Sequence, residues 1–468
     1  MSGFWKNENG SIGMFFALAL IPVVGFVGIA YDSARIYSVK SRLSESLDAA
    51  GLAAGRAVFS PTRDAEATMF FNANFPDGYM DSTVAPPTIA VDEAGETITV
   101  TGSATVPTTF MRLFGNEDVV VSARSVIVRQ NRGMELALVM DNTGSMRSGG
   151  KIDAMKSASR DLIDIIYGDD ETVNGLYVAL VPYTATVNVG ADRSAWLDAG
   201  DRYFDSPSPF EPTEWKGCVE ARTAPLDQND TPPAVEPFTS YYFAADVDNQ
   251  WPAVDESNGA QNDGTGPNLG CGPEITSLVA EKSVVTAAID EMLPWHRGGT
   301  TSNLGLVWGW RVLSPAWRGL WSNGGDPVSP MNLPLDYDDP LMDKVVVVLT
   351  DGQNQFYDWP NHSPNNGVGP EGSDYTAYGR LNEFGYATLA EGLAEINTRF
   401  SNICTAMKAQ GIVIFSITFG PSPNAATQDL YRNCATQPDY YYHSPSNDQL
   451  ADAFHSIGQI LTNLRVAE

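Results

Sequence analysis

Residues 12–31, IGMFFALALIPVVGFVGIAY, form twenty consecutive positions without a charge. A helix of that length, rising about 1.5 Å per residue, covers about 30 Å, the thickness of a bilayer core. No polar face interrupts the run, which sets it apart from a helix built to pack in a soluble core. It is longer than the usual apolar region of a signal peptide, and no clean small-residue cleavage site follows it. The stretch therefore reads as an uncleaved membrane anchor, with Pro22 a kink that membrane helices tolerate.

Flanking charge and cysteine usage pull in opposite directions on orientation. Arg35, Lys40 and Arg42 follow the anchor and only Lys6 precedes it, which read alone keeps the C-terminal side in the cytoplasm. Long domains translocate largely regardless of such charge, and Asp32 and Glu45 dilute the cluster. The four cysteines, Cys218, Cys271, Cys404 and Cys434, are widely spaced, with no CxxC pair and no histidine close by in sequence. That spacing excludes a common zinc site and fits two disulfides in an oxidising compartment. The large C-terminal portion is expected outside the cytoplasm. Four cysteines allow three connectivities; the expected bridges are Cys218–Cys271, stapling an insertion, and Cys404–Cys434, flanking a strand.

After the anchor, Ile36, Val39, Leu43, Leu47, Ala50, Ala54 and Ala57 step by three or four, one stripe of a helix continuing the membrane helix. Residues 63–75 read as a short helix. Runs at 88–92, 96–106 and 119–128 alternate and are rich in Val, Ile and Thr, as strands are. A long helix followed by a small antiparallel sheet is a pilin-like layout. From Glu135 the pattern changes. Apolar strands (135–141, 176–189, 344–352 and 412–420) alternate with helices (151–167, 278–293, 303–314 and 448–466), the last with Ser446 and Gln449 spaced as a capping box. Unbroken apolar strands between helices predict an α/β fold, a doubly wound, mostly parallel sheet covered on both faces. Polar segments at 191–275, 315–342 and 353–383 interrupt it and read as surface insertions. The tryptophans at 308, 310, 317 and 321 read as packing residues rather than a recognition patch. The acidic stretches DYDDP (336–340) and 246–264 read as solvated; the latter has calcium-loop composition without EF-hand spacing.

In doubly wound sheets, ligands bind outside the carboxyl ends of the strands. Three such ends or nearby turns carry oxygen side chains here. DNTGS supplies Asp141, Thr143 and Ser145 at alternate positions. GGTTSN opens a helix with Thr300 at its turn. LTDG sets Asp351 just past an apolar strand. Two carboxylates and three hydroxyls suit a hard cation, Mg²⁺ with Mn²⁺ or Ca²⁺ as alternates. Not all five oxygens can bind directly and leave room, so the hydroxyls are expected to bind the ion and one or both aspartates to act through water. That arrangement leaves a position for a partner's acidic side chain. With 57 acidic against 28 basic residues and a net charge of −29, the chain is a poor match for nucleic acid and suits cations or basic partners.

The three-part pattern resembles the metal-ion-dependent adhesion site of von Willebrand factor A domains. Thr143 stands where the usual first motif has a serine, Thr300 matches the second-motif threonine and Asp351 the third-motif aspartate. The segment GSIGMFFALALIPVVGFVGIAYDSARIYSVKSRLSESLDAAGLAAGRAV resembles TadE/TadG-type pilus assembly proteins. WKGCVEAR, WGWRVLSPAWRGLW, LPLDYDDPLMDKVVVVLTDG and the C-terminal NCATQPDYYYHSPSNDQLADAFHSIGQILTNLR are similar to TadG. The resemblance implies three parts: a tail and transmembrane anchor (1–31), a pilin-like helix with a small antiparallel sheet (32–131), and a von Willebrand factor A domain with the insertions above (132–468). It implies a single-pass protein of the bacterial inner membrane, its large domain in the periplasm. Its partners would be pilin or other proteins of the tight-adherence (Flp) pilus system. It implies no catalysis, and the residues agree: no nucleophile–base pair, phosphate-cradling glycine loop or motif histidine is present. The alternative is an envelope scaffold or surface adhesin in which the metal only braces the fold.

Overall fold

The computed structural model describes residues 9–56, 62–91, 97–128, 132–204, 214–243, 267–268, 270–295, 298–321, 333–340, 342–356 and 373–465. The calcium-loop-like stretch 246–264 lies outside them. The chain divides into two compact units, Met1–Asn131 with Val466–Glu468, and Arg132–Arg465.

In the first unit, α1 (Asn9–Arg56) runs unbroken through Pro22, and α2 (Arg63–Asn74) packs against it. The strands are β1 (Thr83–Val84), β2 (Thr88–Val91), β3 (Thr97–Pro107) and β4 (Asp118–Val128). β3 lies between its antiparallel neighbours. Val39, Leu43, Leu47, Ala50 and Ala54, spaced along one face of α1, are buried against Ile98, Val100 and Phe71. Upstream, Phe15, Phe16, Ile21, Phe26 and Val27 are exposed. α1 is thus long and apolar enough to cross a membrane, and among the described residues only 11% of its most apolar window is buried.

The second unit is built on β5 (Gly133–Asp141), β6 (Leu176–Tyr183), β7 (Val187–Asn188), β8 (Cys218–Val219), β9 (Thr276–Val279), β10 (Gly299–Thr300), β11 (Met342–Thr350), β12 (Gln355–Phe356), β13 (Val413–Phe419) and β14 (Tyr441–Ser444). Its helices are α3 (Lys151–Tyr167), α4 (Lys282–Glu291), α5 (Ser302–Arg311), α6 (Leu389–Ala409), α7 (Ala425–Cys434) and α8 (Asn447–Arg465). The main sheet has the order β14-β13-β11-β5-β6-β9, parallel except for β9 at one edge. This is a doubly wound sheet. Every residue of β5 is buried: Leu136, Leu138 and Met140 meet a core shared with α3, α4 and α8, and Ala137 and Val139 one shared with α5, α6 and α7.

Three sequence expectations need correction. Leu278 and Val279, read as the start of a helix, form edge strand β9, and the helix begins at Lys282. The run 176–189 is two strands separated by a turn at Thr184–Thr186. The insertions are not merely superficial. Trp196, Trp215, Phe238 and Tyr242 of the first are buried with Trp308, Trp317 and Trp321, and Trp196 meets Trp317 and Trp321 edge-on. Met342, the last residue of the second insertion as read, opens β11. The tryptophans are core. The DYDDP turn is solvated, with Asp336 exposed and in a surface ion pair with Arg318 at 2.7 Å. Both disulfides are formed, Cys218–Cys271 and Cys404–Cys434. At α8 the Ser446 hydroxyl accepts from the Gln449 amide N–H at 3.3 Å.

α5 lies very close to the sheet because it presents glycine. A Cβ added at Gly305 would fall 2.5 Å from the Tyr183 ring, and one at Gly309 the same distance from Val139. In an exposed helix Gly→Ala gains about 1 kcal/mol. Here Gly305→Ala should instead destabilise by about 1–3 kcal/mol through overpacking, read as a lower urea midpoint at unchanged slope.

Candidate metal centre

The parallel register carries two chain segments some two hundred residues apart to one rim. Asp141 is the last residue of β5, and Asp351 directly follows β11, its parallel neighbour. Asp141 Oδ1 accepts from the Thr143 N–H (2.8 Å) and hydroxyl (2.6 Å). The Ser145 hydroxyl donates to Asp351 Oδ1 at 2.5 Å. The two hydroxyl oxygens lie 3.0 Å apart. With a proton of each turned onto a carboxylate, both oxygens keep lone pairs for a further acceptor role, which a cation can use.

Thr300 reaches the same rim by another route. Trp295 N–H donates to the Asn142 carbonyl (2.7 Å), and Thr301 N–H and Oγ1 both donate to the Thr184 carbonyl (3.1 Å each). These bonds hold Trp295 and Thr301 beside the ends of β5 and β6. Thr300 itself pairs with Gln355 across β10 and β12. Its hydroxyl makes no hydrogen bond to the other four candidates among the described residues. The structure thus joins Asp141, Thr143, Ser145 and Asp351 in one chain of contacts and brings Thr300 alongside through backbone.

Three further residues belong to the site. The Thr350 hydroxyl donates to Asp141 Oδ2 at 2.9 Å. The Tyr183 hydroxyl donates to the Leu349 carbonyl (2.8 Å) and lies 3.4 Å from the same Oδ2. Lys151, first residue of α3, sets Nζ 2.7 Å from Asp351 Oδ2, under the Gly420 turn that ends β13. Lys151 carried a readable signal: a lysine opening a helix opposes the macrodipole unless something holds it. Tyr183 sits opposite Asp141 in register, a partnership visible only once the strands are paired.

Electrostatically the site is short of positive charge. Asp141 is fully buried, and burial first, then the nearby charge of Asp351, pushes its carboxyl up to about 6. The Lys151 ammonium answers one carboxylate of two. Among the described residues no group of three or more His, Cys, Asp or Glu side chains converges, so the donor set is hydroxyl-rich with two carboxylates. That chemistry fits a hard divalent cation better than a thiophilic one.

Residues 10–57 match one family model, described as Putative Flp pilus-assembly TadE/G-like. The N-terminal helical segment is TadE/G-like. The match covers about a tenth of the chain and does not reach the α/β unit. No curated protein matches the sequence. Among solved structures, the vWF domain of the type V pili tip protein Mfa5 from Porphyromonas gingivalis is 10% identical, covering 72% of this chain and 97% of that one, with a TM-score of 0.39. The PilB minor pilin from Streptococcus sanguinis is 12% identical over 82% of this chain and 79% of that one, TM-score 0.34. Proximal thread matrix protein 1 from the mussel byssus, with a zinc occupied MIDAS motif, is 14% identical over 72% and 47%, TM-score 0.32. These scores carry no argument; the strand order, the antiparallel edge and the rim that joins Asp141 to Asp351 show a doubly wound α/β sheet with a strand-end cluster of oxygen side chains.

Removing the internal cation should expose the charge deficit. Lys151→Met should lower stability in EDTA by about 2 kcal/mol, the scale of a hydrogen bond to a charged group, and saturating Mg²⁺ should restore most of it. Thermal melts of both proteins with and without the ion check this.

Proposed function

We propose that the chain is a membrane-anchored von Willebrand A-type binding protein of the Flp pilus-assembly machinery, acting through a divalent-metal adhesion site. Residues 1–31 serve as tail and anchor, 32–131 as a pilin-like spacer and 132–468 as the binding domain. One observation carries this reading: two strand-end carboxylates, linked through two hydroxyls at one sheet rim, in a chain whose anchor is TadE/G-like. Asp141, Thr143, Ser145, Thr300 and Asp351 would hold the cation, the hydroxyls directly and one or both aspartates through water. Bound Mg²⁺, Mn²⁺ or Ca²⁺ supplies the positive charge that an acidic side chain of pilin or another assembly protein would meet. The role is recognition, not turnover. The two disulfides support an oxidising compartment, hence a bacterial inner-membrane protein with its large domain in the periplasm.

The test is calorimetry of the full chain in nanodiscs with each of the three ions, followed by capture of pilin and assembly proteins with and without EDTA. Binding heat with at least one ion and EDTA-sensitive capture are expected. No heat with any ion removes the metal from the function.

A second reading has its own support. The Lys151–Asp351 pair already ties α3 to β11 without an outside ion, as a scaffold would need if the site only braced the fold. Capture that persists in EDTA while the melting temperature falls would favour it.

A further inference from the structure

We propose that the loop joining β3 to β4 is a second membrane contact: Phe110, Leu113 and Phe114 enter the lipid interface beside α1. The proposal rests on the reading of residues 12–31 as a membrane span and adds to it a surface outside that helix. The loop closes at the pair Pro107–Asp118 and tightens into a short helical turn, Met111–Phe114. Leu113 and Phe114 are 77% and 66% exposed, an unusual placement for two large apolar side chains in a turn.

Their neighbours explain it. A Cβ added at Gly28 would fall 2.4 Å from Phe110 Cγ, and one at Gly25 would lie 3.9 Å from Phe114 Cζ. The loop therefore lies directly on the helix at two glycines inside the apolar run, and Tyr31 meets Phe110 edge-on. The helix surface around these glycines, Phe26 and Val27, is exposed and apolar as well. Loop and helix together make one continuous apolar surface.

The depth follows from helix rise. Gly25 is six residues inside Tyr31, so Phe114 sits about 9 Å below the end of the apolar run at 1.5 Å per residue. That is the depth at which amphipathic elements sit at the headgroup–acyl boundary, about 5–10 Å. Arg112, on the same turn and exposed, has the reach to leave its guanidinium among lipid phosphates.

The loop is also held at this height. Asp32, the first residue past the run, accepts from the amides of Thr109, Phe110 and Met111 at 2.9, 2.7 and 2.7 Å. Arg35 donates to the Pro107 carbonyl (3.3 Å) and the Thr109 hydroxyl (3.2 Å). A single helix can swivel and slide in a bilayer. A helix with a clamped side wedge has its rotation and height fixed, and so has the spacer unit built on it.

The test uses the full chain in phosphatidylcholine–phosphatidylglycerol vesicles, with one cysteine added and labelled with an environment-sensitive fluorophore. The native cysteines are all bridged. Phe114→Cys and Leu113→Cys report the loop, Ile21→Cys the middle of the span, and Val235→Cys, 70% exposed, the aqueous reference. Both loop labels should be quenched at least about twofold by lipids with a nitroxide high on the acyl chain and be protected from iodide. The Ile21 label should respond to deep nitroxides and the Val235 label only to iodide. Loop labels that behave like Val235 while the Ile21 label is quenched by deep nitroxides overturn the wedge and leave the span standing. An Ile21 label blind to deep nitroxides overturns the span and the wedge with it.

Discussion

Replacing Lys344 with methionine should destabilise the α/β unit by about 3–5 kcal/mol, the cost of leaving one member of a buried ion pair behind. Lys344 and Glu135 face each other in register on β11 and β5, their side chains 3% and 0% exposed. The ammonium pairs with Glu135 Oε2 and donates to the Leu313 carbonyl at 2.8 Å, while Glu135 Oε1 accepts from Leu335 N–H at 2.7 Å. Burial pushes the Glu135 carboxyl up and the Lys344 ammonium down, each against the pull of its partner. In Lys344→Met the upward push on Glu135 goes unopposed by that partner. A carboxyl raised in the folded state contributes stability below its unfolded pKa and loses it as pH rises through the folded one. The variant's deficit should therefore be larger at pH 8 than at pH 5. Glu135→Gln combined with Lys344→Met keeps an acceptor for Leu335 and removes the orphan charge, so it should recover most of the loss. Urea titrations of the two single variants and the double variant at both pH values test the cycle. A double variant no better than the worse single one would mean that the pair is not the source.

Neither Glu135 nor Lys344 stood out in the sequence, and the reason is general to this chain. What could be read came from short-range pattern. The charge-free run, the stripe Val39–Leu43–Leu47–Ala50–Ala54 and the strands 135–141 and 344–352 announce themselves because burial acts at a fixed period along one element. Asp141 and Asp351 stand out as candidates because one ends such a strand and the other directly follows one, and strand ends are where a doubly wound sheet presents its ligands. Leu278 and Val279 misled because two apolar residues before a helical stripe fit either period. The first insertion hid its contribution to the core because Trp196, Trp215, Phe238 and Tyr242 are scattered among Pro, Asn, Asp and Gly with no period at all. Tyr183, Thr350 and Lys151 complete the rim through contacts spanning 42, 209 and 200 residues, which no local pattern encodes.

Asp141→Asn separates the two roles open to that rim. The variant should lose detectable Mg²⁺ binding, because the site gives up one of its two carboxylates. It should also be more stable than the parent near neutral pH when no metal is present. Burial and the charge of Asp351 raise the Asp141 carboxyl from its ordinary value to about 6. Below about pH 4 the protonated group costs the fold nothing; between about pH 4 and 6 its contribution is lost, and near neutrality the metal-free protein carries a penalty of roughly 3 kcal/mol at most. The amide oxygen of asparagine can still accept from Thr143, and its NH₂ can donate to Thr350, so the geometry survives while the charge goes. In EDTA, parent melts should fall across that pH window and those of the variant should lack the component. Mg²⁺ should raise the parent's melting temperature near neutrality and much less at about pH 5, where protons compete for the site. A metal-free variant less stable than the parent at neutral pH would overturn this account of the charge. A variant that folds well without binding metal then decides between recognition and bracing. Loss of pilus assembly at normal protein levels requires the ion in the contact itself, and intact assembly leaves the ion no task beyond holding the rim together.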